Sequence, residues 1–318
     1  MAPDVSIVVP CFNGERFVEQ AIGSALAQDD DLEVIVVDDG STDSSGAIVQ
    51  SIARTDPRVK VCVEPNRGPA HARNVGVRAM SPTSRYLLFL DADDVLAPNA
   101  IPILRRRLER EPGLGAVFGS RSRIDHTGTQ VEQAPVSVSA YFADDQGVRR
   151  LDSADEIGYW HFMPVNPIST PGQCLIRVSA LPSGEVFDRR YPPCEDWELW
   201  LRLARHHVIG VEHHEVISYR DHDASASKSY GVMYEQREAV YGAQCLVITP
   251  EELQRFKAAW RFGLFRFDAG LCLDWAQARF AERDLRGSVR FLLRSIRYRV
   301  RYRWAVLRRE PDIEVGPT

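Results

Sequence analysis

Arg85-Tyr86-Leu87-Leu88-Phe89-Leu90-Asp91-Ala92-Asp93-Asp94 is the stretch on which the fold turns. An almost unbroken apolar run gives way, within one residue, to three carboxylates in four positions. A continuous run of this length, rather than an alternating one, suits a strand buried on both faces of a parallel sheet. Crowded carboxylates repel one another, so a folded chain rarely sets them side by side without a counter-charge. A divalent cation supplies that charge, and hard cations such as Mg2+ prefer oxygen ligands shared with phosphates. Open α/β sheets bind ligands beyond the carboxyl ends of their strands, which is where these aspartates fall. The competing reading is an Asp-rich turn capping the helix that Pro98 and Asn99 announce.

Upstream, Val5-Ser6-Ile7-Val8-Val9-Pro10 reads as a buried first strand, and Glu15 to Gln28 carries Phe17, Ala21, Ala25 and Leu26 at helical spacing. Leu32 to Val37 predicts a second strand, Val59 to Val63 a third and residues 85–90 a fourth, with helices between them, the third over Gly68 to Met80. This β-α alternation implies a mostly parallel sheet with right-handed crossovers and helices on both faces. Downstream, the spacing predicts a helix over Ile101 to Arg110 and a strand over Leu114 to Gly119. A hairpin about His126-Thr127-Gly128-Thr129 and a strand over Gln173 to Val178 follow. Residues 132–165 are poorly patterned and read as long loops, the kind that often form lids or substrate walls. Trp197, Trp200, Leu201 and Ala204 fall at i, i+3, i+4 and i+7, so Cys194 to Leu203 is an amphipathic helix with its acids in the first turn. Val208 to Val211 and Glu215 to Tyr219 look like closing strands, and from Tyr230 the pattern is helical to about Arg309.

A length of 318 residues with 44% hydrophobic and 26% charged residues is the profile of a globular protein. The formal net charge of −5 argues against a general nucleic-acid binder. Met1-Ala2-Pro3-Asp4-Val5 lacks a basic region followed by an apolar core, and no stretch has the roughly 18 apolar residues of a spanning helix. Six scattered cysteines, Cys11, Cys62, Cys174, Cys194, Cys245 and Cys272, form no C-x-x-C pair and read as small apolar thiols of a reducing compartment. A cytoplasmic location is expected, with peripheral attachment to the cytoplasmic face of the membrane as its variant.

Three further clusters carry chemistry. Asp38-Asp39-Gly40-Ser41 ends a buried strand and reads either as an Asx turn before a capped helix or as a carboxylate that accepts from a pyrimidine imide or a ribose hydroxyl. Glu195-Asp196 opens a helix, where the macrodipole alone favours an acid by roughly 0.3–1 kcal/mol. Its functional reading is a general base that takes a proton from an attacking hydroxyl, with the flanking tryptophans excluding water and stacking on a sugar. Tyr219-Arg220-Asp221-His222 follows an apolar run. His222 reads as a surface residue or, beside an aspartate-held ion, as an imidazole completing the coordination. Arg220 is suited to a diphosphate.

In order, Val5 to Asn13, Val36 to Asp43, Asn66 to Gly76, Phe89 to Asp94, Glu195 to Arg202 and Tyr219 to His222 resemble the family 2 glycosyltransferases of the GT-A fold, over residues 4 to about 225. The resemblance implies an α/β architecture of the nucleotide-diphospho-sugar transferase type, a mostly parallel, Rossmann-like sheet flanked by helices. It implies a D-x-D motif at Asp91-Ala92-Asp93, with Asp93 on the metal and Asp91 at the ribose or sugar end of the donor or on the metal. It also implies Asp39 as the base-reading carboxylate, Pro10, Phe12 and Asn13 as the wall under the base, and Arg73 and Asn74 near the nucleotide. Asp196 matches the catalytic base, Glu195 its neighbour, His222 a metal or diphosphate contact, and Arg220 a diphosphate contact. The activity implied is inverting transfer of a sugar from a nucleotide-diphosphate donor to an acceptor hydroxyl, with Mn2+ or Mg2+ as cofactor. A UDP-sugar is the first expectation, with GDP- or dTDP-sugars as alternatives, and the acceptor is a saccharide or a lipid-linked one. Cys11 departs from the Thr or Ser common at that position, and residues 132–172 carry over no assignment.

The expected organisation is a catalytic domain over 1–228, with a nucleotide-binding half at 1–95 and an acceptor-binding half at 96–228, then a helical extension over 229–318. Within that extension Leu285, Val289, Leu292, Leu293, Ile296, Val300 and Leu307 form a seam beside arginines at 286, 290, 294, 297 and 301. This basic amphipathic helix suits peripheral membrane contact, packing on the catalytic domain, or self-association. Two rivals stand beside the transferase. A nucleotidyltransferase needs a Gly-rich basic phosphate loop after the first strand, where this chain has only Cys11-Phe12-Asn13-Gly14-Glu15-Arg16. A non-catalytic sugar-nucleotide-binding subunit is the other.

Overall fold

The computed structural model describes residues 2–134, 141–144, 147–150, 154–163, 166–222, 230–249, 251–252, 289 and 292–293. The chain runs β1 (Val5–Cys11), α1 (Val18–Leu26), β2 (Leu32–Asp38), α2 (Ser45–Thr55), β3 (Val59–Val63), α3 (Pro69–Ala79), β4 (Tyr86–Phe89) and β5 (Val95–Leu96). It continues with α4 (Ala100–Arg110), β6 (Leu114–Ile124), β7 (Gln130–Ala134), β8 (Tyr141–Asp144), β9 (Gly147–Arg150), β10 (Glu156–Ile157) and α5 (Tyr159–Phe162). Then come β11 (Cys174–Arg177), α6 (Glu195–Ala204), β12 (Val208–Arg220) and α7 (Tyr230–Cys245).

One mixed sheet carries the order β10-β12-β6-β11-β4-β1-β2-β3, with β5 on β12 and β7 on β6. β4, β1, β2 and β3 are parallel; β4, β1 and β2 are covered on both faces, as their apolar runs require, and β3 is the partly exposed edge. Alternate residues feed two cores. Val8, Ile35, Val37, Leu87 and Phe89 pack with α3, α5 and α6, while Ile7, Val9, Val34, Val36 and Leu88 pack with α1, α2 and α4. Helix α3 lies so close to β1 that a Cβ on Gly76 would meet Val8 Cγ1 at 2.2 Å. β11 is antiparallel to both β4 and β6, so the parallel series stops at β4.

Several expectations change here. β12 is one strand rather than two, and its register shifts between Val211 and Glu215, where the sequence pattern breaks. Residues 132–165 are not all loop: β8 and β9 form a two-stranded antiparallel sheet, and β10 and α5 follow. Elements of two to four residues are too short for periodicity to register. Within the stretch expected to be helical from Tyr230 to about Arg309, the first helix, α7, ends at Cys245. There Thr249 N donates to Glu252 Oε2 at 2.7 Å and Glu252 N to Thr249 Oγ1 at 3.2 Å, the reciprocal cap of a new helix start before Pro250. The basic seam beyond Leu285 lies outside the described residues except for Val289, Leu292 and Leu293, as do Cys272 and the side chain of Cys245. Cys11, Cys62, Cys174 and Cys194 are free thiols. No helix among the described residues is long and apolar enough to cross a membrane.

Candidate active site

The loops at the carboxyl ends of β1 and β2 are laced together before any ligand is considered. Asn13 N donates to Ser41 Oγ at 3.1 Å, Thr42 N to Asn13 Oδ1 at 2.8 Å, and Gly14 N to Ser45 Oγ at 2.8 Å. Asp38 Oδ1 accepts from Ser41 N at 2.9 Å, the expected Asx turn. Burial pushes the Cys11 thiol up to about 11, so it stays neutral beneath this loop. Pro10 is half-buried at the end of β1, and Phe12 stands 49% exposed beyond it.

Asp39 is buried, and both its oxygens are taken: Oδ1 accepts from Arg67 N at 3.0 Å and Oδ2 from Gly68 N at 2.8 Å. It pins the loop that enters α3. Gly40 allows that approach, with φ +75 and an added Cβ only 2.8 Å from Asn66 N.

The four residues after β4 separate by role. Asp94 is buried and braced, accepting from Thr170 Oγ1 at 2.7 Å and from Arg220 N at 3.0 Å. Burial and the neighbouring Asp93 and Asp91 hold its carboxyl well above the usual range. Ala92 is the half-buried spacer. Asp93 Oδ2 lies 2.7 Å from His222 Nε2. Burial and Asp91 raise its pKa, and His222 pulls it back. Asp91 Oδ1 accepts from Arg73 Nη2 at 2.6 Å.

Arg73 is the joint of the site. Its Nη1 donates to Glu195 Oε1 at 2.9 Å, so one buried guanidinium spans Asp91 and the start of α6. Burial opposes the Arg73 charge, but Asp91 and Glu195 outweigh it and hold the pKa above the ordinary value. Glu195 Oε2 is buried with no hydrogen-bond partner among the described residues. Beside it, Asp196 accepts from Asn166 Nδ2 at 3.1 Å and from Trp197 N at 2.7 Å. Burial, then the Glu195 charge, pushes the Asp196 carboxyl up to about 7. A carboxylate so poised exchanges protons near neutrality, which is what a general base needs.

Three roles expected from the sequence are altered. Asn74 spends both polar atoms on the Phe187 backbone, donating to O at 2.8 Å and accepting from N at 2.9 Å, so it anchors the segment before α6 and does not face a nucleotide. Arg220 is 1% exposed and donates to Asp93 O at 2.8 Å, Asp125 O at 3.1 Å and Gln20 Oε1 at 2.7 Å, so it braces the aspartate loop from behind. Trp197 and Trp200 are 2% and 0% exposed, and Trp197 Nε1 donates to Phe162 O at 2.8 Å. Buried rings exclude water but stack on no sugar. Asn166 and Thr170, which hold Asp196 and Asp94, were not foreseen. Their only signal was their place beside Pro167 and Pro171, in a stretch with no pattern of its own.

The donor set suits a hard divalent ion. Asp93 and His222 offer one carboxylate oxygen and one imidazole nitrogen, already in contact, which leaves coordination positions for diphosphate oxygens. Asp91 has given one oxygen to Arg73. Among the described residues no group of three or more His, Cys, Asp or Glu is arranged to hold a metal by itself.

The model of a family described as glycosyl transferase family 2 matches residues 6–181. Over 116 residues, 36% of this chain and 31% of the relative, the sequence is 43% identical to succinoglycan biosynthesis protein ExoO of Rhizobium meliloti. The chain spans between 31% and 39% of the length of the first curated relatives it matches. Among solved structures, S. aureus TarS 1-349 in complex with UDP-GlcNAc superposes with a TM-score of 0.55 at 17% identity, covering 92% of this chain and 90% of that one. Mannosyltransferase PcManGT from Pyrobaculum calidifontis, in complex with GDP-Man and Mn2+, gives 0.56 at 17% identity, over 96% and 84%. At such identity these neighbours speak to the fold, which is GT-A.

Proposed function

The chain belongs to glycosyl transferase family 2, and on that premise we propose that it transfers a sugar from a nucleotide-diphosphate donor to an acceptor hydroxyl with inversion. The observation that carries this reading is the Arg73 bridge, which joins Asp91 at 2.6 Å and Glu195 at 2.9 Å. It sets the aspartate cluster and the carboxylate of Asp196 on one scaffold, so a donor held at the first lies beside a base at the second.

Asp196 takes the acceptor proton as the acceptor oxygen attacks the anomeric carbon and the bond to the diphosphate breaks. Its pKa of about 7 leaves it largely ionised in mildly alkaline solution and still basic enough to accept a proton. Asn166 and the Trp197 N–H fix the orientation of that carboxylate. Buried Trp197 and Trp200 keep water from the base. Asp93 and His222 are the residues that would hold Mn2+ or Mg2+, which when bound neutralises charge on the departing diphosphate. A second carboxylate acid is unnecessary, because a diphosphate is already a good leaving group.

The donor class has support in the UDP-GlcNAc and GDP-Man bound to the two neighbours. ExoO, by its name a succinoglycan biosynthesis protein, favours a saccharide acceptor, free or lipid-linked. A thermal-shift panel of UDP-, GDP-, dTDP- and CMP-sugars with Mn2+, repeated in EDTA, tests the reading, because specific binding stabilises the folded state by mass action. One donor class should raise the melting temperature, and EDTA should remove the shift. No shift with any donor overturns the proposal.

A further inference from the structure

Arg220, sealed behind the aspartate loop, has no free approach to a ligand, and its charge is satisfied by neutral oxygens: two backbone carbonyls and the Gln20 amide. Beside the divalent ion that Asp93 and His222 would hold, a side-chain cation toward the diphosphate has to come from another residue. We propose that Arg16 is that residue, binding the diphosphate of the donor and of the departing nucleotide; this rests on the glycosyltransferase reading and extends it.

The argument is local. Arg16 is exposed, in the turn that leads from β1 into α1. Its guanidinium carbon lies 5.0 Å from the centre of the Phe17 ring. The same ring has the Arg220 guanidinium at 4.7 Å and the His222 ring at 5.3 Å, and His222 touches Asp93 at 2.7 Å. Arg16 and the His222 of the pair suited to a divalent ion therefore border the same aromatic ring. Among the described residues the Arg16 guanidinium makes no hydrogen bond or ion pair.

That placement breaks two local rules. Two guanidinium charges gathered about one ring repel each other. A cation in the turn before a helix start also opposes the macrodipole, which favours anions there. An anion bound by Arg16 on this side of the site resolves both, and departures from local rules concentrate at functional sites. The anion that fits a site beyond the carboxyl end of β1 is a diphosphate, because a planar guanidinium forks onto phosphate oxygens.

The test uses the full chain and three variants. Calorimetry with UDP, GDP and dTDP, with Mn2+ and in EDTA, identifies the nucleoside diphosphate bound by the wild type. Ligand-observed NMR measures the corresponding nucleoside. Arg16→Ala should weaken the diphosphate about ten- to a hundredfold, the range for a hydrogen bond to a charged group, and leave the nucleoside unchanged. Arg16→Lys should recover part of the loss, since a point charge replaces the fork. Arg54→Ala, which removes the same charge from an exposed position on α2, should change neither. Undiminished diphosphate affinity in Arg16→Ala overturns the assignment, as does an equal loss for the nucleoside. A wild-type chain that binds no nucleoside diphosphate overturns the function itself, which is a different result.

Discussion

Two pairs of adjacent carboxylates lie on either side of Arg73, and they are built alike up to one contact. In each pair one acid is buried and held by the protein: Asp94 by Thr170 and the Arg220 N–H, Glu195 by Arg73. In each the second acid, Asp93 or Asp196, has its pKa raised by burial and by a neighbouring carboxylate. The contact that differs is the partner. Asp93 meets the imidazole of His222, a group that can carry charge or ligate a cation. Among the described residues Asp196 accepts hydrogen bonds from the Asn166 amide and a backbone N–H, neither of which can carry charge or give up its proton near neutral pH. The same raised carboxyl is thereby suited to hold an ion in one case and to exchange a proton in the other.

Replacing Asp196 by Asn removes the proton acceptor and keeps the shape. Turnover should fall by about 10²–10⁴ with donor affinity unchanged, measured by steady-state kinetics beside calorimetry. Undiminished turnover would show that the two pairs do not differ in role. Arg73→Met breaks what joins them and leaves Asp91 and Glu195 without their buried cation. A loss of roughly 3–5 kcal/mol is expected from urea unfolding, against little change if the bridge is not formed in solution. Thr170→Val affects one pair only, taking away the donor to Asp94. It should destabilise by about 1–3 kcal/mol.

The smallest effect is on pH. The active form of Asp196 is ionised, so kcat/KM should fall as pH drops through about 7 rather than through the ordinary carboxylate range. Asn166 stabilises the charged form, so Asn166→Ala should move that acid limb upward by up to about one unit. An unmoved limb would mean the titrating group is not Asp196.

The core of this architecture was legible because its strands are continuous apolar runs ending in polar clusters, and β1, β2 and β4 lie within a residue or two of their expected bounds. What escaped had either too little length or too much distance. β8, β9 and α5 are four residues each, too few for a period to show. Asn166 and Thr170 contact acids 30 and 76 residues away, and nothing local to either residue encodes such a contact. Asp39, Asn74 and Arg220 were found as residues, but each is turned toward the protein's own backbone, a choice that three-dimensional placement makes. Polar residues next to a site serve the scaffold as readily as the ligand.

The antiparallel seat of β11 between β4 and β6 bears on how the chain comes off the ribosome. When residue 96 has emerged, the whole amino-terminal fingerprint exists, yet Tyr86–Phe89 is an open edge of four buried-type residues awaiting a neighbour 87 positions later in register, Leu175 opposite Leu88 at the nearest. Thr170, Arg220 and His222 have not yet been made either, so the aspartates have neither brace nor partner. The nascent chain passes through an interval in which a sticky strand edge is exposed and the site does not exist. Amino-terminal fragments cut near Leu96 should therefore aggregate rather than serve as a small nucleotide-binding module.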